Sequence, residues 1–260
     1  MVRRVVVFRF DRNPAICRER VAQLRRLNPG VAVFGLYGGA GGRRAFAFRL
    51  GRRAVLGLDG IHRPPHDGRW NWQHGDLALA DWYRQVGRHV EFDVLHLVEW
   101  DLVLTAPLAT VYAHVPPDAL GLTCCTGLDE IGPDWDWVSR PDLREQTDAL
   151  LAAARERWGF AGEPRACLGV GPCLPRSFLD EYAALDVPEL GHDELRWPLF
   201  ADVLGHPVVE TGFRSAWHSP EDDAYFNATG RLIEPATIRA EQGRADGRRA
   251  FHPVHARMPR

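Results

Sequence analysis

The opening stretch of the chain, up to Leu36, constrains the fold more than any other. Val5 to Phe10 is an unbroken run of β-branched and aromatic residues around Arg9, the composition of a strand covered on both faces. Asn13-Pro14 then marks a helix start, with Asn as N-cap and Pro at the first helical position. Ile16, Val21, Leu24 and Leu27 give that helix an apolar face, Asn28-Pro29-Gly30 stops it, and Val31 to Leu36 reads as a second strand. Strand, helix, strand at this spacing is a βαβ unit, whose two strands lie parallel and whose crossover is normally right-handed. The chain has 260 residues, of which 45% are apolar and 25% charged, enough to bury a substantial core in an α/β fold.

Further along, helices are predicted near Asp76–Val86, Pro107–Ala113, Asp142–Trp158 and Ser177–Ala184, and over Asp193–Leu204 with a bend at Pro198. Strands are predicted at Gly121–Cys125, Cys167–Val170 and Val208–Phe213, and Gly171 to Arg176 reads as a turn. No internal repeat or long linker appears, so residues 1–260 read as one domain. The formal net charge of -2 provides no global field to draw nucleic acid or an anionic membrane. Arginine carries the positive charge, and local guanidinium clusters still suit oxyanions. The five cysteines form no C-x-x-C pair or zinc spacing, and adjacent Cys124 and Cys125 read as buried thiols. No apolar signal region or run of 18 apolar residues is present, from which a cytoplasmic location is expected.

The segment Phe92 to Asp101 carries the chemistry. An apolar run ends in Glu99-Trp100-Asp101, and in extended backbone residues two apart share a side. Both carboxylates can then enter one site at the carboxyl edge of the sheet, where open α/β folds hold ligands. Two hard oxygen donors suit Mg²⁺ or Mn²⁺, which in turn can carry nucleotide phosphates. Acids at a strand end that simply meet solvent are the plain alternative. The glycine cluster at 38 to 42 lacks the Walker ending and the G-x-G-x-x-G pattern, so it reads first as a flexible turn.

Taken in order, the βαβ start, Glu99-Trp100-Asp101, Gly191-His192-Asp193-Glu194 before a helix, and a late Phe251-His252-Pro253-Val254 resemble the GT-A type nucleotide-sugar glycosyltransferases. The resemblance covers most of the chain as short pieces. It implies a three-layer α/β/α sandwich with a mostly parallel central sheet. About 1–125 would form a Rossmann-like nucleotide-sugar-binding half, and about 126–260 the acceptor half and tail. It also implies transfer of a sugar from a nucleotide-diphosphate donor to an unknown acceptor hydroxyl, with Mn²⁺ or Mg²⁺ as cofactor and no nucleic-acid partner. Glu99-Trp100-Asp101 looks like the family's D-x-D motif with Glu in first place. By that resemblance Asp101 is the first metal ligand, Glu99 a second ligand or a ribose contact, and His252 a late metal ligand for which His255 competes. Glu194 or Asp193 would take the acceptor proton, although acids also favour helix starts for dipole reasons alone.

Arg12 is placed beside the donor phosphate, and Phe10 or Tyr37 beside its base. Asp76 either faces the sugar or caps its own helix. Trp135, Trp137, Trp217 and His218 are acceptor-side candidates, since indole rings stack on the apolar faces of sugars. The main competing enzyme is a sugar-phosphate nucleotidyltransferase, disfavoured because Phe10-Asp11-Arg12-Asn13-Pro14 has no glycine. A catalytically inactive GT-A scaffold that binds a nucleotide sugar or a protein is the non-enzymatic alternative.

Overall fold

A computed structural model describes residues 2–39, 56–131, 135–213 and 220–258. Among the described residues its main sheet has seven strands, in the order β3-β2-β1-β4-β7-β6-β8. These are β1 (Arg4–Phe10), β2 (Ala32–Tyr37), β3 (Gly60–His62), β4 (Val94–Glu99), β6 (Leu120–Gly127), β7 (Arg165–Pro175) and β8 (Val208–Glu210). β1 lies parallel to both β2 and β4, β3 joins β2 in parallel, and β8 lies parallel to β6. β7 runs antiparallel to β4 and β6, so the sheet is mixed but mostly parallel. A second, two-stranded sheet pairs β5 (Val103–Leu104) with β9 (Ala250–Phe251).

Alternation along the central strands divides the core into two layers. Val5, Val7, Leu95 and Leu97 join one apolar cluster, whereas Val6, Phe8, Phe10, Val94 and Val98 join the other. This is the period of two expected when both faces of a strand are covered. The first layer packs under α3 (Gly75–Gln85), α4 (Pro141–Trp158), α5 (Arg176–Tyr182) and α6 (Asp193–Leu204), and the second under α1 (Pro14–Leu27). A short helix, α2 (Gly68–Gln73), precedes α3, and α7 (Pro235–Gln242) lies near the carboxyl end. The architecture is the three-layer α/β/α sandwich that the family resemblance implies.

Three local expectations need correction. Asn13 flanks α1 in the left-handed region at φ 51° and makes no side-chain cap. Asn tolerates that conformation, and Pro14 alone sets the start. β7 does not turn at 171–176 but continues to Pro175; Gly171, at φ 70°, bends the strand without ending it. β4 stops at Glu99 and Asp101 lies in the following turn, so the two acids do not share an extended strand. The tight turn, with Leu102 N–H donating to Glu99 O at 3.0 Å, replaces the strand there.

Asp76 lies in the first turn of α3 and not at its N-cap, which is His74. Its carboxylate is fully buried, clasped by Arg196 Nε at 2.6 Å and Nη2 at 2.7 Å, with the Tyr182 hydroxyl donating to it as well. Arg196 also donates to Leu190 O at 2.6 Å and Gln73 O at 3.1 Å, so the guanidinium ties the start of α6 to the end of α2. Removing one member of such a pair strands the other charge in a dry interior. Asp76→Ala is expected to lower unfolding stability by about 3 to 5 kcal/mol in urea titration; a loss under about 1 kcal/mol would show that Arg196 is not held by this pair.

A candidate active site at the β4–β7 gap

β4 pairs with β1 along its whole length, from Arg4↔Val94 to Arg9↔Glu99, but with β7 only as far as His96↔Cys173. Beyond that point the two strands part, and carboxylates enter the gap. Gly171 N–H donates to Glu99 Oε2 at 3.1 Å, and two residues earlier Gly169 N–H donates to Glu194 Oε1 at 3.0 Å. Gly171 suits the bend because a Cβ there would come within 2.9 Å of Phe213 and 3.1 Å of Leu102. Glu99 Oε1 is buried with no hydrogen-bond partner among the described residues. Burial dominates the Glu99 carboxyl and, despite the opposing pull of Arg9, pushes it up to about 7.

Asp101 meets the carboxyl-terminal segment. The β5–β9 ladder folds that segment back, and Val254 N–H donates to Asp101 O at 2.9 Å. His252 Nε2 then stands 3.6 Å from Asp101 Oδ1, and His255 Nε2 3.4 Å from Asp101 Oδ2. His252 Nδ1 lies 2.8 Å from Asn227 O, a carbonyl that only accepts, so the Nδ1 proton is fixed and the Nε2 lone pair of the neutral ring faces Asp101. His255 is more open and stacks on Trp100 at 4.7 Å. Burial raises the Asp101 carboxyl, but His252 outweighs it and leaves the group below its ordinary value. Burial likewise lowers His252, and Asp101 more than reverses that.

The second cluster caps α6. His192 Nδ1 lies 2.9 Å from Asp193 Oδ1 and 3.6 Å from Glu194 Oε2. Asp193 Oδ2 accepts from Arg9 Nη1 at 3.3 Å. Arg9 thus joins the two clusters: it holds Asp193 directly and feels the charges of Glu99 and Asp101. A Cβ on Gly75 would overlap Arg9 and crowd Asp193, which accounts for glycine at the start of α3. Burial pushes Asp193 up, but His192 and then Arg9 pull it down to about 2. Glu194 goes the other way, raised by burial even though His192 and the Gly169 amide oppose it.

Other sequence candidates fall elsewhere. Phe10 is 2% exposed and packed between Phe8 at 5.7 Å and Tyr37 at 5.3 Å, so its ring has no open face for a base. Tyr37 is buried with its hydroxyl against Gly39. Arg12 is exposed and clasps its neighbour Asp11 at 2.6 Å. Trp135 and Trp137 are buried; the first donates to Glu194 and the second lies 5.3 Å from His192. Trp217, His218 and residues 40 to 42 of the glycine cluster lie outside the described residues. Sequence reasoning passed over Arg9, whose signal was a lone charge in an apolar strand, and His192, whose signal was its place beside two acids.

Among the described residues, no group of three or more His, Cys, Asp or Glu is gathered closely enough to hold a metal alone. Two donors of suitable chemistry do stand together, the Asp101 carboxylate and an imidazole oriented by a carbonyl, a pair that fits a hard divalent ion taking its remaining ligands from phosphate.

No family model matches the sequence, and no curated protein matches it. Solved structures do. They include a mycobacterial protein at 16% identity and TM-score 0.43, covering 81% of this chain, which spans 66% of that protein. They also include the galactosyltransferase LgtC with donor and acceptor sugar analogues, at 12% identity and TM-score 0.39, covering 79% of this chain and 72% of that one. A third is the Mycobacterium tuberculosis glucosyl-3-phosphoglycerate synthase with Mn²⁺, UDP-glucose and phosphoglyceric acid, at 16% identity and TM-score 0.42, covering 81% and 70%. No helix among the described residues is long and apolar enough to cross a membrane.

The Asp193 arrangement has a pH signature. A carboxyl held at about 2 in the folded chain and near 3.9 when unfolded contributes about 2 kcal/mol at neutral pH. That stability is complete above roughly pH 4 and lost as pH falls through 2. Asp193→Asn should therefore unfold about 2 kcal/mol more easily at pH 7 and show a shallower acid decline. Parallel stability-against-pH curves for the two proteins would contradict the ion-pair assignment.

Proposed function

We propose that this chain is a divalent-cation-dependent glycosyltransferase that moves a sugar from a nucleotide-diphosphate donor to an acceptor hydroxyl. The observation that carries this reading is the junction of two carboxylate clusters through Arg9: Asp101 with His252 on one side, Asp193 and Glu194 on the other. One cluster offers ligands for an ion that holds phosphates, and the other offers a proton acceptor within the same gap.

Asp101 and His252 Nε2 would hold Mn²⁺ or Mg²⁺, and Glu99, whose Oε1 is buried without a hydrogen-bond partner among the described residues, lies two residues before Asp101. Bound there, the ion supplies positive charge to the leaving diphosphate. His252 is favoured over His255 by its burial and by the Asn227 carbonyl that orients it. Arg9 keeps Asp193 ionised, and Asp193 in turn fixes His192 beside Glu194. Asp193 at about 2 is a poor base near neutral pH, whereas the raised Glu194 is better matched to taking a hydroxyl proton. Glu194 is therefore the base in this reading and Asp193 the positioning residue, with the Gly169 amide aiming the Glu194 carboxylate.

A thermal-shift panel of UDP-, GDP-, CMP- and dTDP-sugars, with and without Mn²⁺, should find a donor whose stabilisation needs the ion. Asp101→Ala should abolish the Mn²⁺-dependent part of that shift; an unchanged shift would remove Asp101 from the site. Glu194→Gln should slow transfer about 100-fold or more while leaving the donor shift intact. A fully active variant would reject Glu194 as base, and loss of the donor shift would show that it binds rather than catalyses.

A further inference from the structure

Trp72 is 56% exposed and, with Leu232, is one of two large apolar side chains left this open among the described residues. It is not a loosely held ring. Trp72 sits in α2, and the next residue, Gln73, donates to Gly191 O at 3.1 Å and to Gln146 Oε1 at 3.2 Å, fastening the helix to the loop before α6 and to α4. The indole meets the His192 imidazole in a T-shaped contact at 4.9 Å. His192 reaches Asp193 at 2.9 Å and stands 3.6 Å from Glu194 Oε2. An open, oriented aromatic surface therefore lies one imidazole away from the carboxylates assigned to the transfer step.

We propose that Trp72 is the platform of an acceptor subsite and that its ligand is a neutral saccharide, a pyranose laid with its apolar C–H face on the indole and its hydroxyls toward Glu194. This deepens the glycosyltransferase reading and rests on it for the role of Glu194. The chemistry selects the ligand class. A flat apolar surface beside hydrogen-bond acceptors matches a molecule with one apolar face and a rim of hydroxyl donors. Of the arginines near this platform, Arg9 and Arg196 are committed to Asp193 and Asp76, and Arg69, exposed one turn before Trp72, is the cation that the glycerol 3-phosphate probe below tests.

Saturation-transfer NMR tests this with the full chain. The probes are the methyl α- and β-pyranosides of glucose, galactose, mannose and N-acetylglucosamine, with maltose, cellobiose and glycerol 3-phosphate alongside. At least one sugar should bind saturably, with strongest transfer to the protons of one pyranose face, and glycerol 3-phosphate should not. Trp72→Ala should raise the dissociation constant of that sugar about tenfold or more, and Trp72→Phe no more than about threefold. Because the ring is exposed, both variants should melt within about 2 °C of the parent, which separates lost binding from lost fold. No saturable sugar binding, or equal binding in Trp72→Ala, overturns the subsite. The donor panel reads the parent hypothesis independently. Trp72-dependent sugar binding without any stabilising donor would keep the saccharide site and remove the transferase. A confirmed donor with sugar binding indifferent to Trp72 would do the reverse.

Discussion

The departure of β4 from β7 after the His96↔Cys173 pair is the constraint on which the site depends. A sheet that stayed zipped would use the amides of Gly169 and Gly171 for ladder hydrogen bonds. Because the strands part, those two amides face the gap, and each is satisfied by a carboxylate. Buried amides need partners, and buried carboxylates need donors; here each requirement meets the other. The result places Glu99 and Glu194 on one strut, two residues apart along β7, though they are far apart in sequence.

Arg9 turns that placement into an electrostatic unit. It projects from β1, which pairs with β4 through the Arg9↔Glu99 register, and reaches Asp193 across the gap. One guanidinium cannot pair equally with every acid around it. Asp193, which also has His192, stays ionised at about 2, whereas burial pushes Glu99 to about 7 and Glu194 above its ordinary value. Groups of one chemical type driven apart in this way are suited to different tasks, one to hold charge and another to exchange a proton.

Much of the frame was legible in the sequence because local patterns carry it. The βαβ opening, the long helix ending at Trp158 and the helix beginning at Asp193 follow from periodicity and from Pro and Gly punctuation. The rest depends on contacts distant in sequence. Gly171-Pro172 has turn composition, yet pairing with β4 and β6 on either side carries the strand through it. Asp76 looks like a helix-start acid, and only its meeting with Arg196 makes it a buried ion pair. His252 could be set near Asp101 only by resemblance; the physical agent is the β5–β9 ladder, two residues long on each side and invisible to periodicity. Trp72 was hidden among nine tryptophans, since exposure cannot be read from residue type.

The central claim is that Asp101 and His252 bind a cation which carries a nucleotide diphosphate. The most direct measurement is anomalous diffraction from crystals of the chain grown with Mn²⁺ and the nucleoside diphosphate of the stabilising donor. Binding at this pair predicts one manganese peak within about 2.0 to 2.6 Å, the range of hard divalent ions, of an Asp101 carboxylate oxygen and at bonding distance from His252 Nε2, with diphosphate oxygens as further ligands. Ordered nucleotide with no manganese at those atoms, or manganese held elsewhere, would contradict it.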